Sequence, residues 1–430
     1  MVQIKPFQGL CYNPEKVNIQ DVVTEPYDKI SPVLQEKYYK RSPYSAVRLV
    51  LGKEEKGDNE KQNKYTRAAE LLKKWEKAEV LVQAERPQLY AYHQEFKLDG
   101  TKNIRKGFMA LVKLEDFSTA IIRPHEKTLS KPKADRLDLM RATHAQLEHI
   151  FMLYRDREKK INALLGEVTS AVKPLFNVKD EYGSRHKVWR VWDDTLVEAI
   201  TGIMKDKYLL IADGHHRYET ACNFAKENGA WGQADNPYNY QMMTLFNMDD
   251  EGLTILPTHR LLHGLAGLKK DGLLQALSAY FTITKHRYFE EMSAEQAKAT
   301  PEQPCFGLYI DKEYNLLKMK DISVMDREVQ VDRSMDWKHL DVSILHTLIL
   351  EKLLGITLEH QAQQTNLTYV RYAEEAISAV DKGEEQLAFF LNPTRIDQVE
   401  KIAELGETMP QKSTDFFPKL LTGLVMHKLA

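Results

Sequence analysis

One junction in the middle of the chain limits the possible folds more than any other segment. The apolar run Tyr208–Ala212 is followed at once by the charged cluster Asp213–Arg217, DGHHR, and the residues from there to Gly229 have the composition of a helix. An apolar run that ends at a glycine and continues as a helix is typical of a strand-to-helix turn. The junction therefore predicts an α/β layer structure with charged side chains at the end of a buried strand.

The chemistry of this junction favours an anion. The first N–H groups of a helix have no partner inside it and carry the positive end of its dipole. Gly214 lets the backbone approach a ligand closely, and Arg217, with His215 or His216 when protonated, adds donors. Asp213 would orient an imidazole or hold a cation beside the anion. This set suits a polyphosphate with its magnesium ion, although the chain contains no GxxxxGK[ST] sequence.

Two other interpretations of the junction stay open. One of the two histidines is a hydrogen-bonded core residue, or Asp213, His215 and His216 bind a transition metal. Neighbouring histidines on a helix point in different directions, which disfavours a shared metal. We therefore favour the anion site.

A second charged segment follows a short apolar pair and a proline. Arg123 precedes Pro124, and His125, Glu126 and Lys127 come directly after it. A carboxylate between cationic groups at the end of a strand suits a general base. The alternative is a surface loop held by salt bridges.

A third segment lies close to the C-terminal end of the sequence given. Lys412, Ser413 and Thr414 stand on a loop bounded by prolines and followed by Phe416-Phe417. A lysine with adjacent hydroxyls offers several donors to a phosphate or a carboxylate. The alternative is a structural loop anchored by the two aromatic side chains.

Composition excludes several classes of function. The formal net charge is −2, so bulk charge does not attract nucleic acid or an anionic membrane. No apolar run approaches the roughly 20 residues of a spanning helix, and the start of the sequence does not have the pattern of a signal peptide. Cys11, Cys222 and Cys305 are scattered without a CxxC pair. We expect a cytoplasmic globular protein with no nucleic-acid or membrane partner.

The chain is long enough for several domains, which we predict at residues 1–115, 116–235 and 236–430. The first region is predicted to contain a buried strand at Ser45–Gly52 and a hairpin over residues 88–117 with an Asp-Gly turn. Residues 241–262 and 305–320 are predicted as further hairpins. Three packed α/β regions are expected to leave a cleft between them.

Three of these segments, in this order, resemble the free L-serine kinases. The segments are RPHEKT (Arg123–Thr128), IADGHHRYE (Ile211–Glu219) and GETMPQKST (Gly406–Thr414). The sequence is also similar to a widespread uncharacterised bacterial family that shares these motifs and a PYD segment, here Pro26–Asp28. The resemblance implies a ParB/sulfiredoxin-like nucleotide-binding fold and phosphorylation of the amino acid itself.

The resemblance also implies a role for each motif. Glu126 would take the proton of the serine hydroxyl. The residues Asp213, His215, His216 and Arg217 would lie at the phosphates and magnesium, with Gly214, Arg123 and His125 as further nucleotide-binding residues. Lys412, Ser413 and Thr414 would bind the amino acid or its phosphate. The chain departs from those kinases in the residues before Arg123 and in a predicted helical insertion, Lys133–Glu148.

The leading hypothesis is therefore a magnesium-dependent kinase that makes O-phospho-L-serine, or a similar product, from ATP or ADP. Its catalytic residues would be Glu126, His216 and Asp213, with Asp213 also near the magnesium ion. The expected fold is α/β, with a ParB/sulfiredoxin-like core and flanking α/β regions. The alternatives are a phosphoserine phosphatase or phosphotransferase, a non-catalytic nucleotide-sensing module and, last, a metal enzyme. The choice of nucleotide and the oligomeric state stay open.

Overall fold

A computed structural model describes residues 1–98, 100–128 and 130–429 of the chain. These residues form two compact units. The larger unit comprises Met1–Pro124, Thr128–Thr254 and the segment from Pro418 onward, and the smaller unit comprises His125–Lys127 and Ile255–Phe417. Within the described ranges, no helix combines the length and the apolar character needed to cross a membrane.

The larger unit is built around one nine-stranded sheet with helices packed against it. Its first twelve strands are β1 (Ile4–Lys5), β2 (Leu10–Tyr12), β3 (Leu81–Gln83), β4 (Leu89–Leu98), β5 (Thr101–Lys113), β6 (Ile122–Arg123), β7 (Ala145–Gln146), β8 (Ile150–Tyr154), β9 (Phe176–Lys179), β10 (Arg185–Val191), β11 (Leu209–Asp213) and β12 (Tyr240–Asn247). Its helices are α1 (Ile19–Val22), α2 (Pro32–Arg41), α3 (Val47–Val50), α4 (Lys64–Lys77), α5 (Ser130–Thr143), α6 (Lys160–Ala171), α7 (Asp194–Met204) and α8 (His215–Glu227).

The strand order in the large sheet is β6-β11-β8-β12-β5-β4-β10-β9, with β1 also paired to β5. The sheet is mixed: β6 runs parallel to β11 and β8 parallel to β12, whereas the other pairs are antiparallel. Strands β8 and β12 are buried along their whole length, and β8 has the continuous apolar sequence IFMLY that such burial favours.

The predicted hairpin over residues 88–117 is confirmed as the antiparallel pair β4 and β5. Gly100 of its turn has a φ of 77°, and Asp99 lies outside the described residues. The predicted strand at Ser45–Gly52 is wrong, because this run forms the short helix α3 with hydrogen bonds from Val50 N to Ala46 O and from Leu51 N to Val47 O. A short apolar run does not separate strand from helix by periodicity.

Two further predictions failed because pairing partners far along the chain decided the outcome. Residues 241–262 do not form a hairpin, since β12 lies between β5 and β8 in the large sheet. The helix predicted up to Glu148 ends at Thr143, because His144 has a φ of 47° and β7 then pairs with a strand from the C-terminal segment.

The smaller unit contains a six-stranded antiparallel sheet with the order β15-β17-β16-β19-β14-β18. The strands from residue 254 onward are β13 (Thr254–Leu256), β14 (His259–Leu262), β15 (Phe281–His286), β16 (Cys305–Ile310), β17 (Glu313–Met319), β18 (Leu367–Val370), β19 (Leu387–Phe390), β20 (Asp415–Phe417) and, back in the larger unit, β21 (His427–Lys428). The predicted hairpin over residues 305–320 is confirmed as β16 and β17.

Helices cover the smaller sheet and complete its apolar cores. They are α9 (Lys270–Ser278), α10 (Phe289–Gln296), α11 (Val324–Glu328), α12 (Met335–Lys338), α13 (Asp341–Ser343), α14 (Leu358–Gln363), α15 (Ala373–Asp381) and α16 (Ile396–Glu404). A π-helical stretch, Ile344–Leu353, continues directly from α13, and most of its residues are buried.

The fold is thus mixed α/β, as the sequence indicates, and the ParB/sulfiredoxin-like core stays a prediction. The structure groups the chain differently from the predicted regions 1–115, 116–235 and 236–430. Strands from before and after residue 115 share one sheet, and the residues from Pro418 onward return to the larger unit. Hydrogen bonding between distant strands sets this grouping, and local composition does not reveal it.

Candidate functional site

The DGHHR junction forms a tight corner between β11 and α8 in the larger unit. Asp213 ends the strand, Gly214 adopts a φ of 96°, and the helix begins at His215. Glycine is suited to this position for two reasons. A residue with a side chain rarely adopts that φ, and a Cβ atom at this position would lie 3.0 Å from Nε of Arg217.

One carboxylate binds two cations at this corner. Nη2 of Arg217 donates to Oδ2 of Asp213 at 2.7 Å, and Nζ of Lys419 donates to Oδ1 at 3.0 Å. The side chains of Arg217 and Lys419 are only 10% and 8% exposed. Burial by itself raises the pKa of Asp213, but Lys419, Arg217 and Lys29 outweigh it and hold that pKa well below its ordinary value.

The result is a corner at the N-terminus of a helix where Asp213 holds two cations, with Glu148 and Asp28 also close to Arg217. Arg217 is also anchored from behind, because it donates to the backbone carbonyl of His149. The His149 ring hydrogen-bonds with Thr244 and donates to Val425 O, and burial lowers its pKa to about 4, so it stays neutral. The cations are therefore held in place before any ligand arrives, an arrangement that suits an anion.

Lys419 received no individual role from the sequence. It lies 206 positions beyond Asp213, and only the tertiary structure brings the two together. One signal was available: Lys419 is the single charged residue in the apolar run Phe416–Leu424. A lone charge in a segment destined for the core requires a buried partner of opposite charge.

The PYD segment lies beside this corner. The backbone N–H of Tyr27 donates to Oε1 of Glu148 at 2.9 Å, and Thr422 donates to the same oxygen at 3.2 Å. The Arg136 guanidinium lies 4.0 Å from the centre of the Tyr27 ring and 3.4 Å from Oε2 of Glu148. Glu148, which the sequence did not single out, thus joins three distant segments next to Arg217, with which it shares the wall of a small cavity.

The two histidines differ in burial. His215, the first residue of α8, is buried, and His216, the second, is half-buried. The structure does not test which of them meets a phosphate, and the catalytic role of His216 stays a prediction.

Arg123 ends β6 and packs against the protein surface. Its Nε donates to Ala120 O at 3.1 Å, and its guanidinium lies 3.8 Å from the centre of the Tyr208 ring. Because β6 and β11 are parallel, with Arg123 opposite Leu210, both strands end at the same edge of the large sheet. The RPHE and DGHHR motifs therefore begin at that edge.

A second cluster lies in the smaller unit and contains His125 and the 409–414 loop. His125 is fully buried, its Nε2 is 2.9 Å from Oγ1 of Thr414, and its carbonyl accepts from Met409 N at 2.8 Å. Glu126, the predicted base, is the half-buried next residue. The burial of His125 and its bond to Thr414 give it a structural role in joining the two predicted motifs.

The 409–414 loop is fixed through its backbone. The Ser413 hydroxyl donates to Pro410 O at 2.6 Å, and the Ser413 carbonyl accepts from Thr394 at 2.7 Å. Lys412 has a φ of 57° and an exposed side chain, while its carbonyl accepts from the buried guanidinium of Arg260 at 3.0 Å. The loop thus presents Lys412 to solvent on a rigid backbone.

The residues at Asp213 do not fit a magnesium ligand in this arrangement. Both carboxylate oxygens already accept hydrogen bonds from cations. Across the described ranges, no group of three or more histidine, cysteine, aspartate or glutamate side chains is arranged to hold a metal ion. Magnesium commonly arrives with the phosphates of a nucleotide.

Comparison with known proteins identifies a family. A family model described as a protein of unknown function, DUF1015, matches residues 4–343. No curated protein matches the chain.

Solved structures with some likeness include three proteins. A conserved hypothetical protein from Pyrococcus furiosus is 14% identical, with 72% of this chain and 90% of that chain covered and a TM-score of 0.33. A free serine kinase variant in complex with AMP is 12% identical, with 72% and 87% covered and a TM-score of 0.36. SbnI with a C-terminal truncation from Staphylococcus aureus is 12% identical, with 73% and 85% covered and a TM-score of 0.35. Likeness at this level carries no argument about function.

Proposed function

The chain belongs to the DUF1015 family, and we propose that it is a small-molecule kinase that phosphorylates the hydroxyl of free L-serine or a similar amino acid with ATP or ADP. One observation carries the proposal: Arg217 and Lys419 are both held by Asp213 at the N-terminus of α8. Phosphoryl transfer depends on positioning and on charge stabilisation, and a corner of this kind provides both.

In the proposed reaction, the corner binds the phosphates of the nucleotide. The backbone N–H groups at the start of α8 and the side chains of Arg217 and Lys419 would donate to phosphate oxygens. Asp213 would not contact the phosphates, because its charge is used to hold the two cations. The fixed positions of these donors would lower the cost of reorganisation during transfer.

The second half of the proposed reaction concerns the acceptor. Glu126 would accept the proton of the acceptor hydroxyl. At the same time the hydroxyl oxygen would form a bond to the terminal phosphorus of the nucleotide, and the bond from that phosphorus to the bridging oxygen would break. The products would be the phosphoamino acid and the nucleotide with one phosphate fewer. The Lys412 ammonium would bind the carboxylate of the amino acid.

The direct test is incubation of the purified protein with L-serine, MgCl2 and either ATP or ADP, followed by mass spectrometry. O-phospho-L-serine is the expected product. If a panel of free amino acids with both nucleotides yields no phosphorylated product, the proposed activity is refuted.

The same assay separates the two alternatives. Release of inorganic phosphate from phosphoserine without nucleotide would indicate a phosphatase. Binding of ADP in calorimetry, with no transfer to any amino acid, would indicate a nucleotide-sensing module.

A further inference from the structure

Two polar side chains buried in the large sheet hold the backbone on either side of Lys419. Nε2 of Gln94 donates to the carbonyl of Lys419 at 2.8 Å, and the guanidinium of Arg105 donates to the carbonyl of Pro418. Both side chains are completely buried. Two consecutive carbonyls of the segment that carries Lys419 are therefore bound from beneath by the sheet.

Gln94 and Arg105 are opposite each other on β4 and β5, so the register of the hairpin brings them together. Nε of Arg105 donates to Oε1 of Gln94 at 2.9 Å. The guanidinium lies 4.5 Å and 4.7 Å from the ring centres of Phe151 and Phe246. Gln94 thus accepts from Arg105 and donates to Lys419, which orients its amide.

The network extends along the same strand. Tyr92 lies two residues before Gln94 on the same face of β4, and Nε2 of Gln94 is 3.4 Å from Nδ1 of His186. The Tyr92 hydroxyl is 2.5 Å from Nδ1 of His186, whose Nε2 is 3.2 Å from Asp180. The buried network that binds the carbonyls of Pro418 and Lys419 therefore continues from Gln94 through His186 to Tyr92 and Asp180.

Burial of the charged guanidinium of Arg105 costs several kcal/mol, whereas burial of an apolar side chain would not carry this cost. In this network the accepting carbonyls are those of Pro418 and Lys419, and the ammonium of Lys419 donates to Asp213. The network therefore sets the position of the Lys419 backbone.

We propose that Gln94 and Arg105, supported by Tyr92, are positioning residues that hold Lys419 at Asp213 and thereby set the affinity of the corner for phosphate groups. The proposal rests on the phosphate-binding role given to the corner above. It predicts that these residues affect nucleotide binding only through Lys419.

The variant that tests it is Gln94→Glu. A glutamate at this position keeps an acceptor for Arg105, but it removes the amide donor and turns a carboxylate oxygen toward the Lys419 carbonyl. We expect the Kd for ADP, measured by isothermal titration calorimetry, to rise about 10- to 100-fold. Lys419→Ala should raise it by a similar factor, and the double variant should be no weaker than Lys419→Ala alone.

Gln88→Glu is the matched control. Gln88 is a buried glutamine shortly before β4, and its amide donates to the Tyr90 hydroxyl at 2.9 Å. This variant should leave the Kd for ADP within about twofold of the parent protein, as expected for a site with no part in the network.

The outcomes separate the two proposals. If Lys419→Ala leaves ADP affinity unchanged, the phosphate-binding role of the corner is wrong. If Lys419→Ala weakens binding but Gln94→Glu does not, or if the two losses add in the double variant, the positioning role is wrong.

If Gln94→Glu does not fold, the paired replacement Gln94→Leu with Arg105→Met decides the question. It removes the polar network and fills the space with apolar groups of similar size. A folded double replacement that binds ADP like the parent protein would overturn the positioning role.

Discussion

The two units hold their candidate lysines in opposite ways. In the larger unit the Lys419 ammonium is buried and paired with Asp213, whereas in the smaller unit the Lys412 side chain is exposed and only its backbone is fixed. Both segments rest on a buried arginine that donates to backbone carbonyls, Arg105 in one case and Arg260 in the other.

The difference lies in what surrounds the lysine side chain. The Asp213 carboxylate, at the end of β11, accepts a hydrogen bond from the Lys419 ammonium and so fixes the position of that charge. A fixed charge suits a ligand of constant geometry such as a phosphate. Lys412 keeps its rotamers and its hydration, which suits a contact that forms only when the acceptor binds. Similar backbone anchoring thus supports a rigid site in one unit and an adaptable one in the other.

The largest expected effect separates chemistry from binding. Replacing the proposed base by Glu126→Gln should lower the rate of phosphoryl transfer about 10²- to 10⁴-fold, because the hydroxyl proton loses its acceptor. The Kd for ADP should stay within about twofold, since Glu126 is given no part in phosphate binding. Single-turnover kinetics and calorimetry measure the two quantities.

The control for this variant is Glu384→Gln, which changes an exposed glutamate of the smaller unit and should alter neither quantity. A Glu126→Gln protein with full transfer activity would remove Glu126 from the mechanism.

The second prediction contrasts the two lysines directly. Lys419→Ala should lower the free energy of unfolding by about 2–3 kcal/mol, because it leaves the half-buried Asp213 with one cation fewer. Lys412→Ala should change it by less than about 0.5 kcal/mol and should instead raise the KM for L-serine. Urea unfolding and steady-state kinetics test both. Equal destabilisation by the two variants would contradict the difference between a paired, buried Lys419 and an exposed Lys412.

The third prediction compares two carboxylates, one in each unit, whose pKa values are shifted in opposite directions. Asp213 has a lowered pKa, so its ion pairs add stability above pH 4 that is lost as the pH falls further. Burial raises the pKa of Asp341, in the smaller unit, to about 6. Below about pH 4, burial of Asp341 therefore does not lower the free energy of unfolding. Between about pH 4 and 6 the destabilisation by Asp341 grows with pH, and above about pH 6 it stays constant.

Asp341→Asn should accordingly raise the free energy of unfolding by about 1–3 kcal/mol at pH 7.5 and leave it unchanged at pH 4. Thermal unfolding across this pH range provides the measurement. A variant that stabilises equally at both pH values would show that burial of the charge is not the cause.

The smallest expected effect concerns the turn that starts α8. Gly214→Ala should cost about 1–2 kcal/mol of stability from its positive φ alone, and it should also weaken ADP binding a few-fold, because the new methyl group would press on Arg217. Gly183→Ala is the matched control, since Gly183 has a φ of 83° and open space around its Cβ position.

The control variant should lose similar stability and keep its affinity for ADP. If both variants leave ADP binding unchanged, the contact between Gly214 and Arg217 has no role in the site.

Features that depend on neighbouring residues were predictable from the sequence. The β11–α8 corner, with glycine at its turn, and the hairpins β4–β5 and β16–β17 formed as expected. Each is set by an apolar pattern and a turn within a short stretch of chain. The short apolar run at Ser45–Gly52 failed because strand and short helix bury such a run equally well.

The sequence by itself therefore determined that a charged corner ends a buried strand of an α/β protein, because that information is local. Only the tertiary structure decided that Lys419 and Arg217 share Asp213, that Glu148 joins the PYD segment to the corner, and that Gln94 and Arg105 lie beneath Lys419. These partners come from distant strands and from the returning segment after Pro418. Burial of a charge selects its partner in space, and spacing along the chain does not encode that choice.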